Sequence, residues 1–424
     1  LGAQLFEPKQ EPSRLLPLEV AWTVTLPAAA ATAPVAARGR VFVALHESWG
    51  GDKVIGAPIG HIAALSLVDG SQLWQVPEDV ATGLAVGDGT LYVSSGTKLR
   101  GRDTSSGTIR WSIQLDSPLS APLVWNSGWL IVALASDELL ALRADTGEVI
   151  WRKRLNGQIR SSPALAGSQL YVSLDTGTVI SLSLLSGESQ WKRTLEGEPQ
   201  EILPVDDLFV GSTDNYLYAL TPRDGSIRWR WQAGGDIVGR PFVDDQRVYF
   251  SSLDNVLWAL NRSNGVQRWR QPLPVRPTSG PNKLQDLLVQ GGRSAGVSFF
   301  DPITGTRYGA ASAPAELSFP PLILSDLSDD GPLLILTAGD GQLQAISSAT
   351  GPARLGLAAI RHFGKELTNH YPFGLPRLSP LEISSFAYQP CFFHLCEPLA
   401  GTALSPCMFQ ECEPAASSLL MSEA

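Results

Sequence analysis

One phrase returns along this chain at a nearly constant interval, and it constrains the fold more than any other feature. A glycine is followed four residues later by a tryptophan at Gly70 and Trp74, Gly107 and Trp111, Gly147 and Trp151, and Gly187 and Trp191. The same phrase recurs at Gly225 and Trp229 and at Gly265 and Trp269, and worn copies around Gly305 and Gly351 lack the tryptophan. Successive glycines lie 37, 40, 40, 38, 40, 40 and 46 residues apart. A period near 40 residues with strand-like content is the period of a β-propeller blade.

Each copy has the same internal order. In the stretch from Ser161 to Leu195, a short strand at Pro163, Ala164 and Leu165 meets a turn at Gly167. A second strand, Leu170 to Ser173, ends at Asp175 and Gly177; a third, Val179 to Leu182, closes at Ser186 and Gly187; a fourth carries Trp191. Four short strands joined by tight turns form an antiparallel meander. Segments such as Tyr216 to Leu220 and Val256 to Leu260 are apolar on both faces. Such a sheet needs cover on both sides, which neighbouring blades supply. The glycine permits a positive φ, and the tryptophan can bury roughly 150–250 Å² between blades.

The segment around Val20, Trp22 and Leu26 reads as an isolated fourth strand, matching Val149, Trp151 and Leu155. The last repeat supplies three strands and then loses its tryptophan. The Trp22 strand is therefore expected to complete that blade and close the ring. The result is an all-β, eight-bladed propeller over residues 18–360, after an N-terminal extension at 1–17. Seven blades are expected instead if the worn copy at Gly305 does not form one.

A Thr/Asp-Gly phrase with a tryptophan four residues on, preceded by a Leu/Tyr-Ala-Leu strand, resembles the pyrroloquinoline-quinone-like repeat, a WD40-like propeller unit. The clearest copies are Leu140, Ala141 and Leu142 with Gly147 and Trp151, and Tyr218, Ala219 and Leu220 with Gly225 and Trp229. Within that family, a short ring without long insertions is most similar to the BamB-type assembly factors of the bacterial outer membrane; other members are quinoprotein dehydrogenases. The first likeness implies a non-enzymatic scaffold in the periplasm, associated with the outer membrane, whose partner is the β-barrel assembly machinery. The second implies a quinone-dependent dehydrogenase. A ligand-binding sensor propeller is a third alternative.

Composition narrows the choice. With 424 residues, 44% hydrophobic and a net charge of −9, the chain has the material for a core, so disorder is excluded for most of it. The 41 acidic residues against 32 basic ones argue against a nucleic-acid partner. No run of about 18 apolar residues marks a membrane-spanning helix. The chain opens on Leu1 and has no cysteine before Cys391, so a processed or trimmed chain is expected, with no thiol for a lipid anchor at its visible start.

A quinoprotein enzyme needs an acid–base carboxylate, oxygen ligands for Ca²⁺ and long loops to enclose its cofactor. The repeats here have almost no insertions and no adjacent cysteine pair, so no catalytic, cofactor-binding or metal residue is assigned, and no cofactor is expected. Gly292, Ser294 and Gly296 match the Gly-x-Ser-x-Gly elbow of serine hydrolases. That motif works on a strand–turn–helix, whereas here it falls between two strands and reads as a hairpin turn.

Two features could meet a partner. Asp137, Asp175, Asp214, Asp254 and Asp340 each open the third strand of a blade, so a ring of carboxylates is expected on one face. The same aspartates serve tight turns for local backbone reasons. One loop, from His46 past Trp49 to Gly60, is far longer than its counterparts and is either a contact element or an insertion packed on its own blade. Beyond residue 361 the repeat stops. The tail, 361–424, carries Cys391, Cys396, Cys407 and Cys412 in two Cys-x4-Cys pairs. These are open to zinc, to disulfides or to a poorly ordered appendage.

Overall fold

The computed structural model describes residues 17–46, 60–78, 83–325 and 332–348. All of them fall in one compact unit, Leu1–Glu366; the second unit, Leu367–Ala424, with the four cysteines of the tail, lies outside the described residues.

Alternating short apolar runs and turn residues produce 32 strands in eight separate four-stranded antiparallel sheets. Strand β1 (Leu18–Thr25) comes first in the chain but belongs to the last sheet. Blade 1 contains β2 (Val35–Ala37), β3 (Arg40–His46), β4 (Gly60–Ser66) and β5 (Gln72–Pro77). Blade 2 contains β6 (Leu84–Gly87), β7 (Thr90–Ser95), β8 (Lys98–Asp103) and β9 (Ile109–Gln114). Blade 3 follows with β10 (Val124–Asn126), β11 (Trp129–Ala133), β12 (Glu138–Arg143) and β13 (Val149–Arg154). Blade 4 is β14 (Ala164–Ala166), β15 (Gln169–Ser173), β16 (Thr178–Ser183) and β17 (Ser189–Thr194). In blade 5 the strands are β18 (Pro199–Pro204), β19 (Leu208–Ser212), β20 (Tyr216–Leu220) and β21 (Ile227–Gln232). Blade 6 has β22 (Ile237–Val243), β23 (Arg247–Ser252), β24 (Val256–Asn261) and β25 (Gln267–Pro272). Blade 7, around the worn Gly305 copy, is complete: β26 (Asn282–Leu284), β27 (Leu287–Gly291), β28 (Gly296–Phe300) and β29 (Arg307–Ser312). Blade 8 takes β30 (Leu322–Leu324), β31 (Leu333–Thr337) and β32 (Gln342–Ser348) from the end of the repeat, and β1 pairs with β32 as its fourth strand. The ring is an eight-bladed propeller closed by its N-terminal strand.

We call the four strands of a blade A to D. The A strands of neighbouring blades pack against one another around the axis. The B and C strands are almost wholly buried, as expected of sheets covered on both faces. The D strands are outermost and alternate exposed with half-buried residues. Eight apolar clusters make up the core, each spanning one junction between blades.

The repeated tryptophan works across the junction rather than within its own blade. Its indole Nε1–H donates to a main-chain carbonyl of the next blade at 2.7–3.1 Å: Trp22 to Leu67, Trp74 to Thr104, Trp111 to Ala144, Trp151 to Leu184, Trp191 to Pro222, Trp229 to Arg262 and Trp269 to Pro302. The ring lies on the repeat glycine of that next blade. Gly70, Gly107, Gly147, Gly187, Gly225, Gly265 and Gly305 have φ between +67° and +75°, and a Cβ on any of them would come within 2.5–2.9 Å of the indole. Glycine is thus required twice over, by the turn and by the approach of the ring. Trp22 and Trp269 are buried, and the other five are half-buried at the rim.

Trp191→Ala should destabilise the protein by about 3 kcal/mol, through a cavity over Gly225 and a lost hydrogen bond. Gly225→Ala should be costly with Trp191 in place and much milder in the Trp191→Ala background, because the clash is with the indole. Urea melts of the four proteins should give a coupling of about 1–3 kcal/mol; simple additivity would contradict the latch.

The junction between blades 7 and 8 lacks this device. Gly309 stands in the tryptophan's place, and the hydroxyl of the preceding Tyr308 turns back to Asp301 of its own blade at 3.4 Å. Native-state hydrogen exchange should therefore release β29 and β30 before the strands of blades 3 to 5.

One junction carries buried charge. At the position four residues after each repeat tryptophan stands a buried or near-buried apolar residue: Leu26, Leu115, Leu155, Leu195, Ala233 and Leu273. Blade 1 has Glu78 there, 4% exposed. It meets Arg100 and Arg102 of β8, with Arg102 Nε at 3.2 Å from Oε2, and Arg102 also donates to the Gly107 carbonyl at 2.7 Å. The two arginines stand where blade 3 has Leu140 and Leu142. Apolar contacts at one junction are thus replaced together by an ion triad.

Candidate functional site

A closed ring of rigid blades offers its loops on two faces. One holds the turns between B and C strands together with the linkers from each D strand to the next A strand. The other holds the A–B and C–D turns, where the repeat glycines lie.

The expected aspartates all sit at B–C turns, and most are engaged in holding them. Asp175 accepts the Gln158 amide at 3.0 Å and faces Arg160 at 3.3 Å. Asp214 accepts from the amides of Gly197 (3.1 Å) and Tyr216 (3.0 Å) and from the Tyr218 hydroxyl (2.7 Å). Burial, aided by that hydrogen bond to the Asp214 carboxylate, raises the Tyr218 pKa above the usual phenol range, so Tyr218 stays a donor. Asp254 accepts from Ser252, and Asp340 accepts the Gln342 amide at 3.0 Å. Gly157, Gly197 and Gly234 of the linkers approach Asp175, Asp214 and Asp254 so closely that a Cβ would touch them. Asp175 and Asp214 therefore tie their turns to the linker entering the same blade, while Asp254 and Asp340 bond within their own turns, the local role open to Asp in tight turns. Asp137 differs: it adopts φ +63° and its carboxylate makes no hydrogen bond among the described residues.

The B–C face is nonetheless rich in acid, with Asp116, Glu196, Glu198 and Asp236 on the linkers beside these turns. Arg160 and Arg230 answer part of that charge; Arg230 reaches Glu196 at 3.4 Å and lies 4.7 Å over the Tyr216 ring.

On the opposite face a cleft of about 370 Å³ opens between blades 5 and 6. Four of its charges pair internally, Arg228 with Asp207 at 2.8 Å and Arg262 with Asp206 at 2.6 Å. His46 ends β3 opposite Gly60, but its side chain and Trp49 lie outside the described residues. Ser294 sits in the hairpin between β27 and β28 and donates to the Gly296 carbonyl at 3.0 Å, as a turn residue does. Among the described residues no group of three or more His, Cys, Asp or Glu side chains converges as metal ligands would, and no helix is long and apolar enough to cross a membrane. The calcium and quinone of a quinoprotein would need several converging oxygen ligands, and the described residues do not fit that group.

The fold is shared widely. Over 78% of this chain and 99% of the other, it matches BamB from Moraxella catarrhalis with a TM-score of 0.62 at 16% identity. Quinohemoprotein alcohol dehydrogenase ADHIIG from Pseudomonas putida HK5 matches 78% of this chain over 76% of its own, with a TM-score of 0.60 at 14% identity. Sqt1 of Saccharomyces cerevisiae, at 11% identity and a TM-score of 0.65, matches 78% of this chain over 99% of its own. No curated protein matches in sequence. At such identities the likenesses speak for the fold alone. The repeat itself carries more, because a family model described as outer membrane protein assembly factor BamB matches residues 58–128, 118–206 and 178–316 in overlapping registers, more than half of the chain. On that match the chain belongs to the BamB family of propellers built from pyrroloquinoline-quinone-like repeats.

Proposed function

We propose that this protein is a non-enzymatic, protein-binding scaffold of the bacterial cell envelope that assists assembly and insertion of outer-membrane β-barrel proteins, acting in the periplasm beside the outer membrane. The observation that carries this reading is the family match to an outer membrane assembly factor along the blades. The ring suits such a role because each blade is rigidly covered on both faces while the turns spread over two broad surfaces. The contact elements of this reading are the acidic B–C face, with Asp137, Asp175, Asp214, Asp254 and Asp340, and the loop bearing His46 and Trp49. The partner is the β-barrel assembly machinery, reached through complementary charge.

The test is affinity capture from an envelope extract with the folded full chain as bait. Barrel-assembly components should be recovered. Recovery should fall several-fold when residues 47–59 are removed, or when Asp137→Asn, Glu196→Gln and Glu198→Gln are combined. Capture without any barrel-assembly component, together with dye reduction after reconstitution with the quinone and Ca²⁺, would overturn the scaffold reading in favour of a dehydrogenase.

A further inference from the structure

The innermost strands of six blades are three or four residues long, but β18 has six and β22 has seven. The added length comes with a break in pairing. The register of β18 on β19 shifts between Pro199 and Ile202, and that of β22 on β23 shifts between Val238 and Phe242. Bulges of this kind re-aim side chains, and they gather next to functional sites. The residues thrown out of the ladder include Glu201 in one blade and Arg240 in the next. They occupy one position of the repeat, two residues before the A-strand residue facing Phe209 or Tyr249. The other blades have Ala33, Gly83, Pro122, Ser162, Gly280 and Pro320 there, none of them charged.

Both side chains line a cavity of about 450 Å³ among the innermost strands of blades 5 to 8, walled by Leu203, Phe242, Pro281 and Pro321. That volume falls in the range of small-molecule sites, about 300–1,000 Å³. Glu201 and Arg240 are the titratable groups of its wall. Among the described residues neither makes a hydrogen bond or an ion pair, with the other or with anything else; they feel each other only through space. Burial raises the Glu201 pKa and lowers that of Arg240, each opposed by the charge of the other. Glu201 is half-buried and Arg240 exposed, so the cavity presents one free carboxylate and one free guanidinium to whatever enters it.

The wall is built to hold its shape. Gly239 has φ +64°, and a Cβ there would collide with the Gly280 nitrogen; one on Gly280 would collide with the Arg240 carbonyl oxygen. The backbones of blades 6 and 7 thus meet without room for a side chain. Ser173 donates to the Gln200 carbonyl at 2.8 Å and Gln290 to that of Ser279 at 3.0 Å, fixing both flanks.

We propose that this cavity binds a small zwitterion of the amino-acid class, its carboxylate on the Arg240 guanidinium, its ammonium on the Glu201 carboxylate and its side chain against Phe242 and the prolines. A ligand with only negative charge meets Glu201 as a repulsive neighbour, one with only positive charge meets Arg240, and a neutral one gains from neither. Only a molecule carrying both charges engages both groups at once.

The test uses the full chain, screened by thermal shift against the twenty proteinogenic amino acids, with calorimetry on those that raise the melting midpoint. At least one should bind saturably. Its decarboxylated amine and its deaminated acid should each bind at least tenfold more weakly, a comparison that needs no variant. Glu201→Gln and Arg240→Gln should each weaken binding at least tenfold while retaining a cooperative melt. Absence of any amino-acid binding, an analogue lacking one charge that binds as tightly as its parent, or folded variants with unchanged affinity would overturn the proposal.

Discussion

Removing residues 1–27 should abolish cooperative unfolding of the propeller. Strand β1 runs against β32 from Leu18 opposite Ser348 to Thr25 opposite Gln342, so its loss leaves blade 8 with three strands and an open edge. The same segment supplies Trp22 and Leu26 to the cluster joining blades 8 and 1. It also supplies the Trp22 hydrogen bond to Leu67 at 2.8 Å and the Leu26 amide bond to Gly341 at 2.9 Å. Deleting a buried tryptophan and a buried leucine costs about 3–5 and about 2–5 kcal/mol before any strand pairing is counted. Against a typical net stability of about 5–15 kcal/mol, that leaves little. The truncated chain should elute as an aggregate and show no sharp thermal transition. An unchanged melting midpoint would refute closure by this strand. Trp22→Ala alone should lower stability by about 3–5 kcal/mol.

Glu78→Gln should be the most damaging isosteric change in the ring, at about 3–5 kcal/mol, because it leaves the charges of Arg100 and Arg102 buried against an uncharged group. The triple change Glu78→Leu, Arg100→Leu and Arg102→Leu installs the apolar trio that the next junction carries at these positions, Leu115 of blade 2 with Leu140 and Leu142 of blade 3. It should recover most of the loss, since a buried ion group replaced whole by apolar residues is often neutral or stabilising. Denaturant melts of the single and triple variants decide the matter. A harmless Glu78→Gln would mean that the triad carries no structural weight.

The fold was legible because each blade repeats its own instructions. Trp22 could be placed in the final blade from its strand alone, since Trp22 and Leu26 have the same spacing as Trp151 and Leu155. The seventh blade survived the loss of tryptophan at Gly309 because Leu288, Val289, Phe299 and Phe300 still supply two buried strands. That each tryptophan rests on the glycine of the following blade was not legible, because ring and glycine come from different copies of the phrase. The Asp turns gave two readings, because the geometry that makes Asp a good turn residue also places it on an open face; Asp175 and Asp214 bond their own linkers, and Asp254 and Asp340 bond within their turns. Glu78 was readable, since it breaks a position that is otherwise Leu or Ala, and comparing the copies position by position would have found it. Glu201 and Arg240 were not, because a bulge is an event of strand register and two unlike residues at one repeat position look like ordinary surface variation.

The scaffold reading is tested most directly by photo-crosslinking in living cells from two positions of blade 4 on opposite faces. Thr176 is exposed beside Asp175 on the B–C face, and Leu185, 67% exposed, lies at the C–D turn of the same blade. A photoreactive residue at Thr176 should give adducts with a component of the barrel-assembly machinery, and one at Leu185 should give few or none. Adducts of equal strength from both positions would contradict the assignment of the partner to the acidic face. No adduct from either, with the protein folded and in the envelope, would contradict the scaffold itself.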